Sequence, residues 1–135
     1  DPEYRAGLEP ARPLDRRRAA LREPGDVAHL AAELDGRVVG MAGIGPAREG
    51  GARSELYAIN VHPDAWGLGV GAALLEAAVE GLRGLGFPEA YLYVVRENAR
   101  ARRFYEREGW WADGFEKSEE IGGAEVTEVR YRRAL

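Results

Sequence analysis

Three glycines precede a long run of alanine and leucine near the middle of the chain. They stand at every second position of the stretch GLGVGAALL, residues 67–75. Backbone N–H groups in the first turn of a helix have no partner within the helix, and the helix dipole adds partial positive charge there. Glycine has no β-carbon to keep an anion away from those donors. The stretch therefore predicts a backbone site for a phosphate or pyrophosphate, formed by Gly67, Leu68, Gly69, Val70, Gly71 and Ala72.

A phosphate site is one of several roles that the glycine stretch could have. A G-x-G-x-G pattern alone is a weak signal, and a flexible loop before a helix would produce it equally well. A Walker A loop requires Gly-Lys-Ser/Thr, whereas two alanines follow Gly71. A dinucleotide-binding fingerprint requires a different glycine spacing and an acidic residue about 20 positions further on. The stretch fits that fingerprint poorly.

A second group of residues could line a narrow ligand. Asn98 and Tyr105 are two helical turns apart, so on a helix they share a face and lie about 10 Å apart along its axis. Ala101 lies between them on that face and is small enough to let a ligand chain pass. The alternative is that Tyr105 is an ordinary aromatic residue of the core.

Turn and cap residues divide the chain into elements that would position these groups. Asp35-Gly36 lies between two apolar runs and predicts a β-hairpin. Asn98 is a suitable N-cap for a helix that Gly109 ends. The predicted elements are a short helix over 14–23, strands over 55–61 and 90–95, helices over about 70–84 and 99–108, and two strands around Gly122-Gly123.

The order β-β-β-α-β-α-β-β predicts a mixed α/β fold. We expect a single domain over residues 1–135, with a poorly defined segment at 1–26 and the core at 27–135. Within the strand at 55–61, simple alternation would place Leu56 on the face opposite Ile59 and Val61.

The composition excludes several classes of function. The 135 residues carry a net charge of −4, whereas nucleic-acid binding needs a basic face. The chain has no cysteine and two histidines, which argues against thiolate catalysis and a transition-metal site. No apolar run approaches the roughly 20 residues of a membrane-spanning helix, and no signal peptide is visible. We therefore expect a cytoplasmic protein with no metal, nucleic-acid or membrane partner.

The segment around Tyr105 resembles the GNAT superfamily of acyl-CoA-dependent N-acetyltransferases, in particular its small single-domain bacterial members. The family pattern is an apolar strand followed by N-x-x-A-x-x-F/L-Y-x-x-x-G-F/W. Those positions hold Asn98, Ala101, Phe104, Tyr105, Gly109 and Trp110. The glycine stretch resembles the family's acyl-CoA pyrophosphate loop, R/Q-x-x-G-x-G/A, at positions 66–71. Two motifs in the right order are more specific than either alone, and the resemblance covers about residues 27–135.

The resemblance implies an α/β (α+β) fold with a mixed, mostly antiparallel central sheet and helices on both faces. The opening strand of that fold has no clear counterpart here, so we expect it to be missing or truncated. Trp66 stands where the family pattern has Arg or Gln, so the glycines, the helix dipole and an arginine from elsewhere would bind the phosphates. Arg100, Arg102 and Arg103 either reach the cofactor's 3′-phosphate or form a solvated helix face.

The resemblance further implies transfer of an acetyl group from acetyl-CoA to a primary amine of a small molecule or peptide, by direct attack in a ternary complex. Tyr105 would be the general acid that protonates the departing CoA thiolate. Glu55 is the candidate general base, and a solvated strand-end carboxylate is its alternative role. Tyr93 stands where some protein-acetylating relatives have a glutamate. The further cofactor-binding residues would be Asn98 and Ala101 beside pantetheine, and Ile59, Asn60 and Val61 through their backbone.

Two further functions stay open. The chain could be a non-catalytic acyl-CoA-binding or sensor module with the same fold, which turnover of an amine panel would distinguish. It could also be a nucleotide-binding domain of another α/β fold, which would bind ATP or NAD in preference to CoA. The resemblance also implies that a homodimer could form through the C-terminal strands, and the identity of the acceptor amine is not determined.

Overall fold

The computed structural model describes residues 27–51 and 53–135, which form six strands and two α-helices. The elements are β1 (Ala28–Leu34), β2 (Arg37–Pro46), β3 (Ser54–Val61), a 3-10 turn (Pro63–Ala65), α1 (Val70–Gly84), β4 (Glu89–Val95), α2 (Ala99–Arg107), β5 (Trp111–Ile121) and β6 (Ala124–Ala134). Their order is the predicted one. The short helix predicted over 14–23, and the segment where the opening strand was expected to be missing, lie outside the described residues.

Both predicted hairpin turns are confirmed. Asp35 and Gly36 join β1 to β2 with φ values of 53° and 79°. Gly122 and Gly123 join β5 to β6 with φ values of 60° and 84°. Positive φ at both central residues is typical of a type I′ turn, whose twist matches that of the flanking strands. The local sequence therefore determines these two strand pairings.

The six described strands form a single sheet in the order β1-β2-β3-β4-β6-β5. Neighbours pair antiparallel except for β3 and β4, which are parallel. This confirms the mixed, mostly antiparallel sheet. Because β3 and β4 are parallel, their carboxyl ends lie at the same edge of the sheet. The segments that lead into α1 and α2 both start at that edge.

Both helices of the described ranges pack into one core cluster on one face of the sheet. Gly40 and Gly81 allow α1 to approach closely. A β-carbon would lie 3.2 Å from the Leu74 side chain at Gly40 and 2.6 Å from Ile44 at Gly81. The buried residues of α1 are Val70, Leu74, Leu75, Ala78, Val79 and Leu82. Any helical cover of the second face would come from outside the described ranges.

The prediction that the side chains of β3 alternate strictly between the two faces of the sheet is wrong. Ile44 pairs with Leu56, whereas the preceding residue of β2 pairs with Ala58, so β3 carries an extra residue at Tyr57. This β-bulge reverses the alternation. Leu56 consequently lies on the same face as Ile59 and belongs to the core cluster against which Ile59 packs. The bulge also lies where β3 stops pairing with β4.

The opposite face of the sheet is polar around Asp113. Its Oδ2 accepts hydrogen bonds from Arg130 Nε at 2.7 Å and Arg132 Nε at 3.0 Å, and its Oδ1 accepts one from the Phe115 backbone at 3.0 Å. Burial alone would raise the pKa of Asp113, but these donors outweigh it and hold the pKa below its usual value. Asp113 thereby ties β5 to β6.

Candidate active site

A slot opens between β3 and β4. The two strands are registered through Ser54 with Ala90 and Glu55 with Tyr91, although β3 continues to Val61 and β4 to Val95. Along that length β3 stays paired with β2, and β4 stays paired with β6. Beyond the bulge, the edges of β3 and β4 that face each other therefore have no strand partner in the described part of the chain.

The open end of the slot leads to residues 67–71, which we call the glycine loop. Gly67 has φ 80°, and Gly69, the N-cap of α1, has φ 79°. No side chain caps this helix, and no acidic residue lies in its first turn. Gly71 differs from these two glycines, because it has no positive φ. A β-carbon at Gly71 would lie at an ordinary contact distance of 3.5 Å from the Phe104 ring. The loop therefore presents uncapped N–H groups at a positive helix end.

Trp66, just before this loop, is half exposed, with 51% of its surface accessible. Its Nε1 donates a hydrogen bond to the Val61 carbonyl at 2.8 Å, which fixes the indole at the end of β3. The Arg100 guanidinium, from the first turn of α2, lies 3.8 Å from the centre of the Trp66 ring. The start of α2 thus contacts the glycine loop.

The first turn of α2 is capped as predicted. Asn98 Oδ1 accepts a hydrogen bond from the Ala101 backbone N–H at 3.1 Å. The Ala101 side chain packs against the core cluster. Arg102 donates to the Tyr131 hydroxyl at 3.0 Å and to the Arg96 carbonyl at 3.1 Å. Arg102 therefore anchors α2 to β6, so it does not belong to a solvated helix face.

Tyr105 lies on α2 inside a cluster of aromatic side chains. Its ring centre is 5.3 Å from that of Phe104, 6.3 Å from Tyr131 and 6.5 Å from Trp110. The residue is 9% exposed. Burial raises the pKa of Tyr105 to about 12, so its phenol stays protonated at neutral pH. The structure therefore places a buried, protonated phenol on α2, the helix that follows β4 in the chain.

Glu55 is not a solvated strand-end carboxylate, because the residue is only 1% exposed. Its Oε1 accepts the Arg48 backbone N–H at 2.9 Å, and its Oε2 accepts Arg48 Nε at 3.0 Å and Nη2 at 2.6 Å. The hydrogen bond to Glu55 raises the pKa of Arg48. Glu55 is registered with Tyr91, so it lies at the closed end of the slot.

A second carboxylate, which the sequence did not predict, lies near the slot. Glu49 accepts a hydrogen bond from the Tyr93 hydroxyl at 2.5 Å and lies 3.5 Å from Lys117 Nζ. Burial and this hydrogen bond raise the pKa of Tyr93 to about 12, and the same bond lowers the pKa of Glu49. Glu49 and Tyr93 are 44 positions apart, so no local pattern could have revealed the pair.

The structure therefore brings the two sequence motifs together at one edge of the sheet. Backbone donors flank a narrow slot, a positive helix end lies at its mouth, and a buried phenol lies on the adjacent helix. This arrangement suits a thin chain that ends in phosphates. Within residues 27–51 and 53–135, no group of three or more His, Cys, Asp or Glu side chains could hold a metal ion. Neither described helix is long and apolar enough to cross a membrane.

Comparison with known proteins gives consistent results. The acetyltransferase (GNAT) family model matches residues 1–110. A mycothiol acetyltransferase of Beutenbergia cavernae is 46% identical over 59 residues, which cover 44% of this chain and 20% of that relative. The chain therefore spans about a fifth of the length of that curated relative.

Solved structures share the fold. The ribosomal-protein-alanine N-acetyltransferase of Brucella melitensis has a TM-score of 0.70 at 24% identity, over 81% of this chain and 69% of that one. The PaiA N-acetyltransferase of Thermoplasma acidophilum, solved in complex with coenzyme A, has a TM-score of 0.60 at 22% identity. That match covers 81% of this chain and 61% of the other.

Proposed function

Because this chain belongs to the acetyltransferase (GNAT) family, whose model matches residues 1–110, we propose that it is an acetyl-CoA-dependent N-acetyltransferase. The acetyl group would pass to a primary amine of a small molecule or peptide by direct attack in a ternary complex. The observation that carries the proposal is the slot between β3 and β4, with the glycine loop at its mouth and Tyr105 on the adjacent helix.

The residues around the slot fit acetyl-CoA. The uncapped N–H groups at Gly69–Ala72 would bind the pyrophosphate. The pantetheine arm would lie between the unpaired edges of β3 and β4, against the backbone of Ile59–Val61 and beside Ala101. Asn98 supports the site through its cap, because its side-chain oxygen is bonded to the Ala101 N–H. The thioester supplies the activated acyl group.

The reaction poses three charge problems, which are the proton of the amine, the tetrahedral oxyanion and the leaving thiolate. An amine with a pKa near 10.4 is mostly protonated at neutral pH, and freeing it costs about 4–5 kcal/mol. We propose Glu55 as the base that accepts this proton, directly or through a water. The tetrahedral oxyanion would be stabilised by backbone N–H groups of β3 near Ile59–Val61. Tyr105 would donate its proton to the leaving thiolate.

Glu55 and its partner can be tested as a pair. If Glu55 is the base, Glu55→Gln lowers kcat at least tenfold and removes the acidic limb of the pH–rate profile. Arg48→Ala keeps the carboxylate and is the matched control, with an intact acidic limb. A Glu55→Gln protein that melts at a lower temperature but turns over normally would show that Glu55 only anchors the loop containing Arg48.

The cofactor proposal is tested by calorimetric titration with acetyl-CoA, with ATP and NAD as controls. Ala72→Glu places a negative charge in the first turn of α1, which favours the helix but repels a phosphate. We expect this variant to stay folded and to lose most acetyl-CoA affinity, whereas Ala72→Gln retains it. Wild type that binds ATP or NAD in preference to acetyl-CoA would indicate a nucleotide-binding domain instead.

A turnover measurement distinguishes an acetyltransferase from a non-catalytic acyl-CoA-binding module. A chain that binds acetyl-CoA but acetylates no member of a panel of small amines and peptides would support the non-catalytic alternative. The named relatives include a mycothiol acetyltransferase and a ribosomal-protein-alanine N-acetyltransferase, so the panel contains both small amines and peptide N-termini. We further propose a cytoplasmic location, no nucleic-acid or membrane partner, and a homodimer as the assembly to test by light scattering.

A further inference from the structure

The segment that forms the proposed pyrophosphate site carries no formal positive charge from lysine or arginine. Residues 62–73 read HPDAWGLGVGAA and include an aspartate. A helix end supplies only about half an elementary charge, whereas the pyrophosphate of CoA carries two negative charges. A cation from another element is therefore needed to neutralise it.

Arg100 is placed to supply that charge. Its guanidinium lies 3.8 Å from the centre of the Trp66 ring, next to the glycine loop. This guanidinium makes no ion pair and no hydrogen bond with any residue in the described ranges. By contrast, Arg96 is near Glu97 and Glu116, and Arg102 is bonded to the Tyr131 hydroxyl. Arg100 thus keeps its charge and its donors available.

The Arg100 guanidinium lies over the face of the Trp66 ring, and such a contact leaves N–H groups of the cation free for a ligand. A guanidinium that stacks on an aromatic ring uses its flat face, while its N–H groups point outward along its edges. Those edges match two phosphate oxygens. The ring itself is fixed, because Trp66 Nε1 donates to the Val61 carbonyl at 2.8 Å. Trp66 therefore holds Arg100 in place, and the side chain does not have to be ordered by the ligand.

We propose that Arg100, held by stacking on Trp66, is the cation that binds the pyrophosphate of acetyl-CoA. Trp66 is then a positioning residue, and the pair replaces a cation within the loop itself. The inference rests on the proposed function, because it assumes that the slot binds CoA.

The test compares CoA, dephospho-CoA and pantetheine by calorimetry. Arg100→Ala should lower the affinities for CoA and for dephospho-CoA by the same factor, roughly tenfold to a hundredfold. Each ligand loses one charge-assisted phosphate contact in this variant. Pantetheine, which has no phosphate, should bind wild type and variant equally. Arg107→Ala is the matched control, since Arg107 is an exposed arginine in the last turn of the same helix. Adding salt should reduce the difference in CoA affinity between wild type and Arg100→Ala, because salt screens the attraction between the guanidinium and the phosphate.

Trp66 is tested in the same assay. Trp66→Leu should weaken CoA binding in the same direction as Arg100→Ala, and the double variant should lose little more than Arg100→Ala alone. In the Arg100→Ala background, Trp66→Arg should restore affinity by returning a cation to the loop. Thermal melting of each variant separates these effects from loss of folding.

Each outcome bears on a different statement. If wild type binds no CoA, the proposed function and this inference both fail. If wild type binds CoA and Arg100→Ala binds it as tightly as Arg107→Ala does, the inference fails while the proposed function stands. If Arg100→Ala weakens CoA but not dephospho-CoA, the contact is with the 3′-phosphate, and the pyrophosphate assignment is overturned.

Discussion

The burial of Tyr105 decides what its hydroxyl can do. Its pKa of about 12 is well above the value of about 8.5 that is typical of a thiol. Complete transfer of its proton to a free thiolate would then cost about 5 kcal/mol. A hydrogen bond to the sulfur as negative charge develops is less demanding. We therefore propose that Tyr105 acts as a hydrogen-bond donor while the C–S bond breaks.

Replacing Tyr105 by Phe removes this donor without changing the ring. We expect kcat to fall on the order of a hundredfold, with acetyl-CoA affinity nearly unchanged. Steady-state kinetics and calorimetry on the same preparation check both statements. Tyr91→Phe is the control, because Tyr91 accepts a hydrogen bond from Arg132 on the opposite face. Wild-type turnover by Tyr105→Phe would remove Tyr105 from the mechanism.

The raised pKa of Tyr105 also predicts how stability depends on pH. In the unfolded chain the phenol ionises near its ordinary value of 10.0, whereas in the folded protein it ionises near 12. The contribution of Tyr105 to the free energy of unfolding is therefore complete below pH 10. It is lost as the pH rises towards 12, where the free energy of unfolding falls by about 1.4 kcal/mol per pH unit.

Urea unfolding between pH 9.5 and 11.5 measures that slope. Tyr105→Phe should have a shallower slope than wild type, although Tyr93, whose pKa is also raised to about 12, keeps part of the dependence. Parallel slopes for the two proteins would show that the folded protein does not hold Tyr105 protonated.

At the scale of elements, two kinds of glycine form the loop. Gly69 has φ 79°, in the left-handed region, whereas Gly71 is helical and has room for a methyl group beside Phe104. Gly69→Ala should therefore cost about 1–2 kcal/mol in the free energy of unfolding. Gly71→Ala, its matched control, should be neutral or stabilising by up to about 1 kcal/mol. Equal effects in urea unfolding would contradict this assignment.

The slot arises from strand pairing. The bulge at Tyr57 increases the local twist of β3, while β2 holds the whole of that strand up to Val61. On the other side, β6 holds β4 up to Val95. Each strand thus follows its own antiparallel partner, and the parallel pair separates.

At the scale of the whole molecule, the sheet consists of two halves, β1-β2-β3 and β4-β6-β5. They are registered through two residue pairs at Ser54 and Glu55, and the core under α1 and α2 joins them on one face. Such a junction opens more easily than a continuous sheet. A ligand chain in the slot would bridge the two halves by bonding to both strands.

Binding of acetyl-CoA should therefore slow hydrogen exchange at residues 57–61 and 92–95. At a hundred times its Kd it should also stabilise the fold by about 2.7 kcal/mol. Hydrogen-exchange mass spectrometry and thermal melting measure the two effects, with ATP as the control ligand. Protection confined to the glycine loop would show that pantetheine does not enter the slot.

The sequence by itself determined the features that depend on near neighbours. The hairpin turns at Asp35-Gly36 and Gly122-Gly123, the extent of α1 and the cap at Asn98 all follow from local φ preferences, periodicity and hydrogen bonds within a few residues. The glycine loop and the Tyr105 helix were recognised for the same reason, because each motif is continuous in the chain.

Only the tertiary structure decided how distant residues meet. The bulge at Tyr57 changed which side chains of β3 face the core. Burial and the bonds from Arg48 excluded the solvated strand-end position that was the alternative role of Glu55. The Trp66–Arg100 stack and the Tyr93–Glu49 bond join residues on different elements. Such contacts depend on strand register and helix placement, which are set by the packing of the whole core, so no local pattern encodes them.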